Sequence, residues 1–199
     1  MRIALLAAPP AFRQLSSLAP GIDWVAYDPA HQEEVDAYII ISEDPDVLRA
    51  VKTGKPLLLG SLLHRLSENE FPAQAVRFCG WENFLPHTTW EVAGEIDEPT
   101  AAVFTALERA TVKSPDNIGL IAPRVLAMII NEAFYALGEN VASKADIDTA
   151  MKLGTNYPEG PFAWCELIGG AHIKALLESL AAEDELYAPA PELIKQYSN

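Results

Sequence analysis

The sequence predicts two domains in series: an α/β domain built on a parallel sheet over residues 1–97, then an all-α domain over residues 98–199. Three observations carry this. Short apolar runs without helical period recur through the first half, as in strands buried on both faces. Beyond Glu98-Pro99-Thr100 the apolar positions take up the i, i+3, i+4 rhythm of helices. The second half is also punctuated by helix signals, with Pro123, Ser143, Pro161 and Pro191 as starts and Gly138, Gly154 and Gly169-Gly170 as stops.

Residues 2–8 (RIALLAA) form a first strand, ended by Pro9-Pro10, and residues 12–18 a short helix. Residues 22–27 read as a second strand closed by Asp28-Pro29, and residues 37–42, with three consecutive isoleucines, as a third. A short helix over 44–51, a strand over 56–59, a helical turn over 62–66 and a strand over 76–79 follow. Strands alternating with helices imply crossovers and hence parallel pairing. In the second half, Thr100 is expected to cap a helix running to about Thr111. Pro123 opens a helix with the face Leu126, Ile129, Ile130, Phe134 and Leu137. Ser143-x-x-Asp146 opens the next, Pro161 another, and residues 172–182 and 191–197 complete the set. The boundary falls within residues 97–115.

The 199 residues carry 14 Lys and Arg against 28 Asp and Glu, a net charge of −14. Such a field repels phosphate backbones and anionic lipid, which excludes nucleic acid and membrane surfaces as partners. It also opposes an anionic ligand unless basic groups are concentrated locally. Cys79 and Cys165 form no metal, redox or disulfide pattern and read as small buried hydrophobes. His31, His64 and His172 are scattered, without metal-ligand spacing, and His172 is expected at a helix start on the surface. The opening MRIALLAAPP lacks a cleavage site and reads as a strand rather than a signal peptide. No apolar stretch approaches the roughly 20 residues of a membrane span, so a cytoplasmic protein is expected.

Three signals follow one another with short spacers: Asn131-Glu132-Ala133 on a helix, the segment SKADIDTAMKLG from Ser143, and Pro158-Glu159-Gly160-Pro161-Phe162. In this order they resemble the C-terminal helical domain of the 3-hydroxyacyl-CoA dehydrogenases. Ile118-Gly119-Leu120-Ile121-Ala122-Pro123-Arg124 stands where that family has a P-G-F-I-V-N-R-type segment, and Pro191-Glu192-Leu193 resembles its late P-x-L. Upstream, Val35–Ile41 followed by Glu43-Asp44 is similar to the family's A-D-x-V-I-E-A-V…E-D strand and turn. Pro56–Ser61 stands for its N-T-S-S strand, and Gly80–Pro86 for G-x-H-F-F-N-P. The resemblance implies a reduced Rossmann-like parallel sheet and an all-α C-terminal domain of the 6-phosphogluconate/3-hydroxyacyl-CoA dehydrogenase type. It also implies NAD as cofactor, a role in fatty acid metabolism, an acyl-CoA-like ligand and a homodimer formed through the helical domain. Ile129, Phe134, Trp164 and Leu176 are then candidates for the dimer surface. The matched residues have a structural reading too: Ser143 and Asp146 cap a helix, Pro158 and Gly160 shape a turn, and Met151 and Phe162 are core.

Against this frame several functional residues are missing. A dinucleotide site needs a glycine-rich turn after the first strand, so that amides at a helix N-terminus reach the pyrophosphate. Here Ala7-Ala8-Pro9-Pro10-Ala11-Phe12 offers no glycine, and two prolines remove two amides. No cofactor-binding residue is therefore assigned, and Asp28 is a turn former. The family's catalytic His aligns with Glu82, a poor base for an alcohol at an ordinary carboxylate pKa. Its orienting Glu falls near Glu95, and its Asn at Pro123. Ser61, Glu82, His87, Glu95 and Arg124 are the candidate cleft residues, with His87 as a displaced base backed by Glu91 or Glu95. Two functions are in competition. One is a homologue that has lost NAD binding and catalysis and acts as a dimeric binding or regulatory module, with no cofactor. The other is a compact, active NAD-dependent 3-hydroxyacyl-CoA dehydrogenase of fatty acid oxidation with an unconventional dinucleotide site. A third role, pairing with a full-length dehydrogenase through the helical domain, stays open.

Overall fold

The computed structural model describes residues 1–28, 34–68 and 71–198, so His31 lies outside the described residues. The chain forms two compact units, Met1–Ile121 and Ala122–Asn199.

The first unit is a seven-stranded sheet in the order β2-β1-β3-β4-β5-β6-β7. Its strands are β1 (Arg2–Leu6), β2 (Asp23–Ala26), β3 (Ala37–Ile41), β4 (Leu57–Gly60), β5 (Ala75–Phe78), β6 (Thr89–Ala93) and β7 (Ala110–Lys113). β1 to β5 are all parallel, β6 is antiparallel to β5, and β7 is parallel to β6. Helices α1 (Pro9–Leu18), α2 (Pro45–Ala50) and α3 (Glu98–Ala106) belong to this unit. The continuous apolar runs have a direct cause, because both faces of the sheet are covered. Ile3, Leu5, Ile39, Leu58 and Phe78 point to one face with Leu15 of α1 and Val103 and Phe104 of α3. Ala4, Tyr38, Ile40, Leu57 and Leu59 point to the other, with Leu48 of α2. Alternate residues of each strand thus feed separate cores.

The expected domain limits, 1–97 and 98–199, give way to a division after Ile121. Residues 98–121 return to the sheet: α3 buries Val103, Phe104 and Leu107, and β7 pairs with β6 from Ala110 to Lys113. The cap of α3 is Asp97, whose carboxylate accepts from Thr100 N at 2.9 Å, and not Thr100, which is buried. The helix does not run on to Thr111. It ends at Ala106, Glu108 turns the chain at φ 57°, and β7 begins two residues later.

The second unit is helical: α4 (Ala122–Gly138), α5 (Lys144–Thr155), α6 (Pro161–Ile168), α7 (Gly170–Ala181) and α8 (Pro191–Tyr197). Its core gathers Ile130, Phe134, Phe162, Cys165, Ile173, Leu176, Leu177 and Leu193. Ser143 caps α5 as expected, accepting from Asp146 N at 3.2 Å and donating to the Asp146 carboxylate at 2.6 Å. The three sequence signals act as joints in this unit. Asn131 is buried, donating to Ala188 O at 2.9 Å and accepting from Ala190 N at 2.8 Å, which fixes the approach to α8. Asp148 of α5 accepts from Phe162 N at 2.8 Å and Ala163 N at 3.2 Å, capping α6 from a different helix. The α6 N-cap is Gly160, where a Cβ would stand 2.2 Å from the Asp148 side chain. The glycine of the P-E-G-P-F turn is thus required by the close approach of Asp148.

Candidate functional site

β1 lies between β2 and β3, so the chain leaves its carboxyl end toward β2 and returns on the other side as β3. That reversal makes the carboxyl edge of β1 and β3 the switch point at which open α/β sheets bind ligands. The first element there is the start of α1. Its N-cap, Ala8, makes no side-chain capping bond, and Pro9 and Pro10 fill the first two helical positions. Neither has an N–H, so Ala11 is the first residue of the helix to offer one. Two of the amides that usually cradle a dinucleotide pyrophosphate are therefore not supplied by this turn.

The second element is the edge formed by the ends of β3, β4 and β5. Glu43, two residues past β3, reaches over the turn after β4: it accepts from Ser61 Oγ at 2.6 Å, Leu62 N at 2.7 Å and Leu63 N at 3.2 Å. The His64 Nε2 lies 2.9 Å from the Glu43 carbonyl oxygen. Gly60 and Gly80 let β4 and the end of β5 close together, since a Cβ on Gly80 would meet Gly60 O at 2.6 Å. Cys79 is buried beside them. Burial pushes its thiol well above the ordinary range, a hydrogen bond with the Trp81 backbone offsets part of this, and the charges of Glu43 and Glu91 add to the rise. A thiol so held is a poor nucleophile.

Next to this edge lies Arg77, wholly buried within β5. It donates to the His64 and Asn117 carbonyl oxygens at 2.6 Å each and pairs with the Asp116 carboxylate at 3.1 Å. It ties the turn after β4 to the segment after β7. Sequence reasoning missed both Arg77 and the grip of Glu43. The signal for Arg77 was a lone cation inside the apolar run Val76-Arg77-Phe78-Cys79; Glu43 was marked by its match to the family's E-D turn, but nothing in the sequence named its partners.

Four of the predicted cleft residues, Ser61, Glu82, His87 and Glu95, lie in the first unit and Arg124 in the second. Ser61 is buried and its hydroxyl is given to Glu43. Glu82 is exposed at the start of a short 3-10 helix, Glu82–Phe84. His87 is exposed, with its ring 5.5 Å from that of Phe84. Glu95 pairs with Lys113 at 2.6 Å on the surface. It follows Ala93, the partner of Arg77, and so runs toward the start of β5 and away from the edge that holds Ser61 and Cys79. Glu91 faces that edge and accepts from Ile121 N at 2.5 Å. Arg124 belongs to the second unit, with its guanidinium over the Tyr187 ring at 5.4 Å. Among the described residues no group of three His, Cys, Asp or Glu could hold a metal ion, and no helix is long and apolar enough to cross a membrane.

In the second unit, Phe134 and Leu176 are 1% and 0% exposed, so these expected dimer-surface residues are core. Trp164 packs on Tyr157 at 5.2 Å. Ile129 lines an open groove of about 390 Å³ with Met128, Ala136, Ile147, Met151 and Pro161, and Glu132 as its charged group.

Residues 119–199 match the family described as 3-hydroxyacyl-CoA dehydrogenase, C-terminal domain. Over 90 residues, 44% of this chain, the sequence is 46% identical to the 3-hydroxyadipyl-CoA dehydrogenase of Escherichia coli K12. It is 34% identical over 131 residues, 60% of this chain, to the human mitochondrial hydroxyacyl-coenzyme A dehydrogenase. These matches cover 19% and 42% of the two relatives, so the chain spans less than half the length of either. A crystal structure of (S)-3-hydroxybutyryl-CoA dehydrogenase from Ralstonia eutropha superposes with a TM-score of 0.79 at 17% identity, covering 99% of this chain and 93% of that one, a likeness of fold. A 3-hydroxybutyryl-CoA dehydrogenase from E. coli K12 aligns at 30% identity with a TM-score of 0.58, over 73% of this chain and 32% of that one.

Proposed function

Because residues 119–199 place this chain in the 3-hydroxyacyl-CoA dehydrogenase family, we propose that it is a member that has lost NAD binding and hydride transfer and acts as a dimeric binding or regulatory module. The observation that carries this reading is the start of α1. Pro9 and Pro10 withdraw the first two amides of the helix at the switch point where the family's pyrophosphate is bound. The chemistry is depleted in parallel. Glu82, aligned with the family's base, stands exposed on a 3-10 helix, and Ser61 is committed to Glu43. Hydride abstraction from an alcohol needs a positioned base with a pKa near the working pH. His87 is exposed, and its ring neighbour is Phe84.

The module's contact surface in this reading is the groove of the second unit, lined by Met128, Ile129, Ile147 and Met151. An apolar groove of this kind favours a protein partner, and a second copy of the chain is the simplest one.

The dehydrogenase names borne by relatives 34–46% identical favour the other reading, an active NAD-dependent 3-hydroxyacyl-CoA dehydrogenase. One experiment separates the two: calorimetric titration with NAD, NADH and acetoacetyl-CoA, beside a spectrophotometric assay of NADH oxidation. The expected result is no saturable binding of NAD or NADH and no turnover. Micromolar NADH binding with turnover would overturn the proposal.

A further inference from the structure

The hold on Glu43 has the form of a ligand site. One carboxylate oxygen accepts from Leu62 N at 2.7 Å; the other accepts from Ser61 Oγ at 2.6 Å and Leu63 N at 3.2 Å. Two successive backbone N–H groups and a hydroxyl converging on one carboxylate make a small anion nest, and bonds to a charged acceptor are the strong kind. The nest is rigid, because Ser61 is fully buried at the end of a strand buried along its whole length. It also lies at the carboxyl edge of the central parallel strands, the edge at which this class of sheet takes ligands. Glu43 has no duty in capping α2, since Asp44 next to it already accepts from Asp46 N at 2.9 Å. The His64 Nε2, 2.9 Å from the Glu43 carbonyl oxygen, ties the Glu43 backbone to the segment that supplies the donors.

We propose that the turn Ser61–Leu62–Leu63 is a carboxylate-binding site that the chain fills from within by Glu43, a self-occupied cradle at the ligand edge of the sheet. The class of ligand it takes is a small monocarboxylate, planar with two acceptor oxygens, as the occupant is. In the native chain an external carboxylate must displace one that is covalently tethered and present at high effective concentration, so the site is closed. Asp44, next to Glu43 in the chain, and Glu91, which with Glu43 raises the Cys79 thiol, add negative charge that disfavours an anion of higher charge, such as phosphate. This inference goes beyond the loss of NAD binding and does not depend on it.

The test uses the full chain as Glu43→Ala, which empties the cradle. Formate and acetate are titrated against chloride at equal ionic strength, followed by the thermal midpoint and by calorimetry. Formate is expected to stabilise Glu43→Ala saturably, while the native protein responds to formate only as it does to chloride. Glu43→Gln, which refills the cradle with a neutral group, should behave as the native chain does. Adding Ser61→Ala to Glu43→Ala should weaken formate binding about 10-fold, or ~1.4 kcal/mol. A folded Glu43→Ala that responds alike to formate and chloride overturns the proposal, and so does tighter binding of phosphate than of formate. If Glu43→Ala does not fold on its own, its refolding from urea carries the same reading. Recovery in formate and not in chloride supports the cradle, and equal failure in both rejects it. NADH titration of the native chain is a separate measurement, so either proposal can fail without the other.

Discussion

Tyr197 shows how far single residues are set by their surroundings. Its hydroxyl lies 3.7 Å from the Cys165 Sγ and accepts from Gln196 Nε2 at 2.9 Å. Its pKa is pushed up to about 12 by burial first and by Cys165 second. The sign follows directly. Between pH 10, the ordinary tyrosine value, and about 12, an unfolded chain ionises this group while the folded chain keeps its proton. The stability it contributes is complete below pH 10 and is lost as the pH rises toward 12. Urea unfolding of Tyr197→Phe is therefore expected to show a shallower fall over that window than the native protein. Equal slopes would refute the assignment. Sequence reasoning had little access to this scale. A tyrosine near the C-terminus, an arginine inside a strand and a glutamate after one carry no mark of their partners. Tyr197 meets Cys165, and Arg77 meets Asn117, across 32 and 40 residues of chain.

At the scale of elements, the ordered signals that carried the family resemblance are joints between helices. Asp148 caps α6 across 14 residues, and Gly160 leaves the space that this cap needs. Asp148→Ala is expected to cost about 1–2 kcal/mol, as for a lost helix cap. Gly160→Ala should cost more, because its Cβ would stand 2.2 Å from Asp148. In the double variant the clash with the carboxylate is removed, while the Cβ retained at position 148 still stands 2.4 Å from the new one, so the relief is partial. Denaturant unfolding should then give a double variant more stable than the sum of the single losses predicts, and strict additivity would count against the joint. This level was largely legible. The Ser143 cap, the proline starts of α6 and α8 and the apolar strands follow from local rules, since each depends on neighbours in the chain. β6 and β7 were missed because they are short and their company comes from the sheet: β6 buries Trp90 and Val92 only among residues of β5 and α3 such as Phe78, Val103 and Phe104.

For the whole molecule, the question is what the exposed apolar surface of the second unit is for. α5 has no buried residue, Leu153 is 82% exposed, and the groove between α4, α5 and α6 is open. If a second copy covers the groove, sedimentation should give twice the mass of the 21.7 kDa chain at micromolar concentration. Ile129→Asp, which puts a charge in the groove, should return it to the monomer. A native monomer would remove the dimer from the proposed function. The net charge of −14 opposes self-association, so added salt is expected to strengthen the dimer.

By itself the sequence determined the fold class, the helical segment from 119 to 199 and the family it matches, and the absence of glycine from the turn after β1. Each of these is written in periodicity, punctuation or local order, and so survives being read along one dimension. Only the tertiary structure decided where the chain divides, because α3 and β7 are assigned by the sheet they complete. It alone separated Glu95 from Ser61, buried Arg77 and closed the turn after β4 on Glu43. Those outcomes depend on which distant strands become neighbours, and strand order is fixed by packing between segments far apart in the chain.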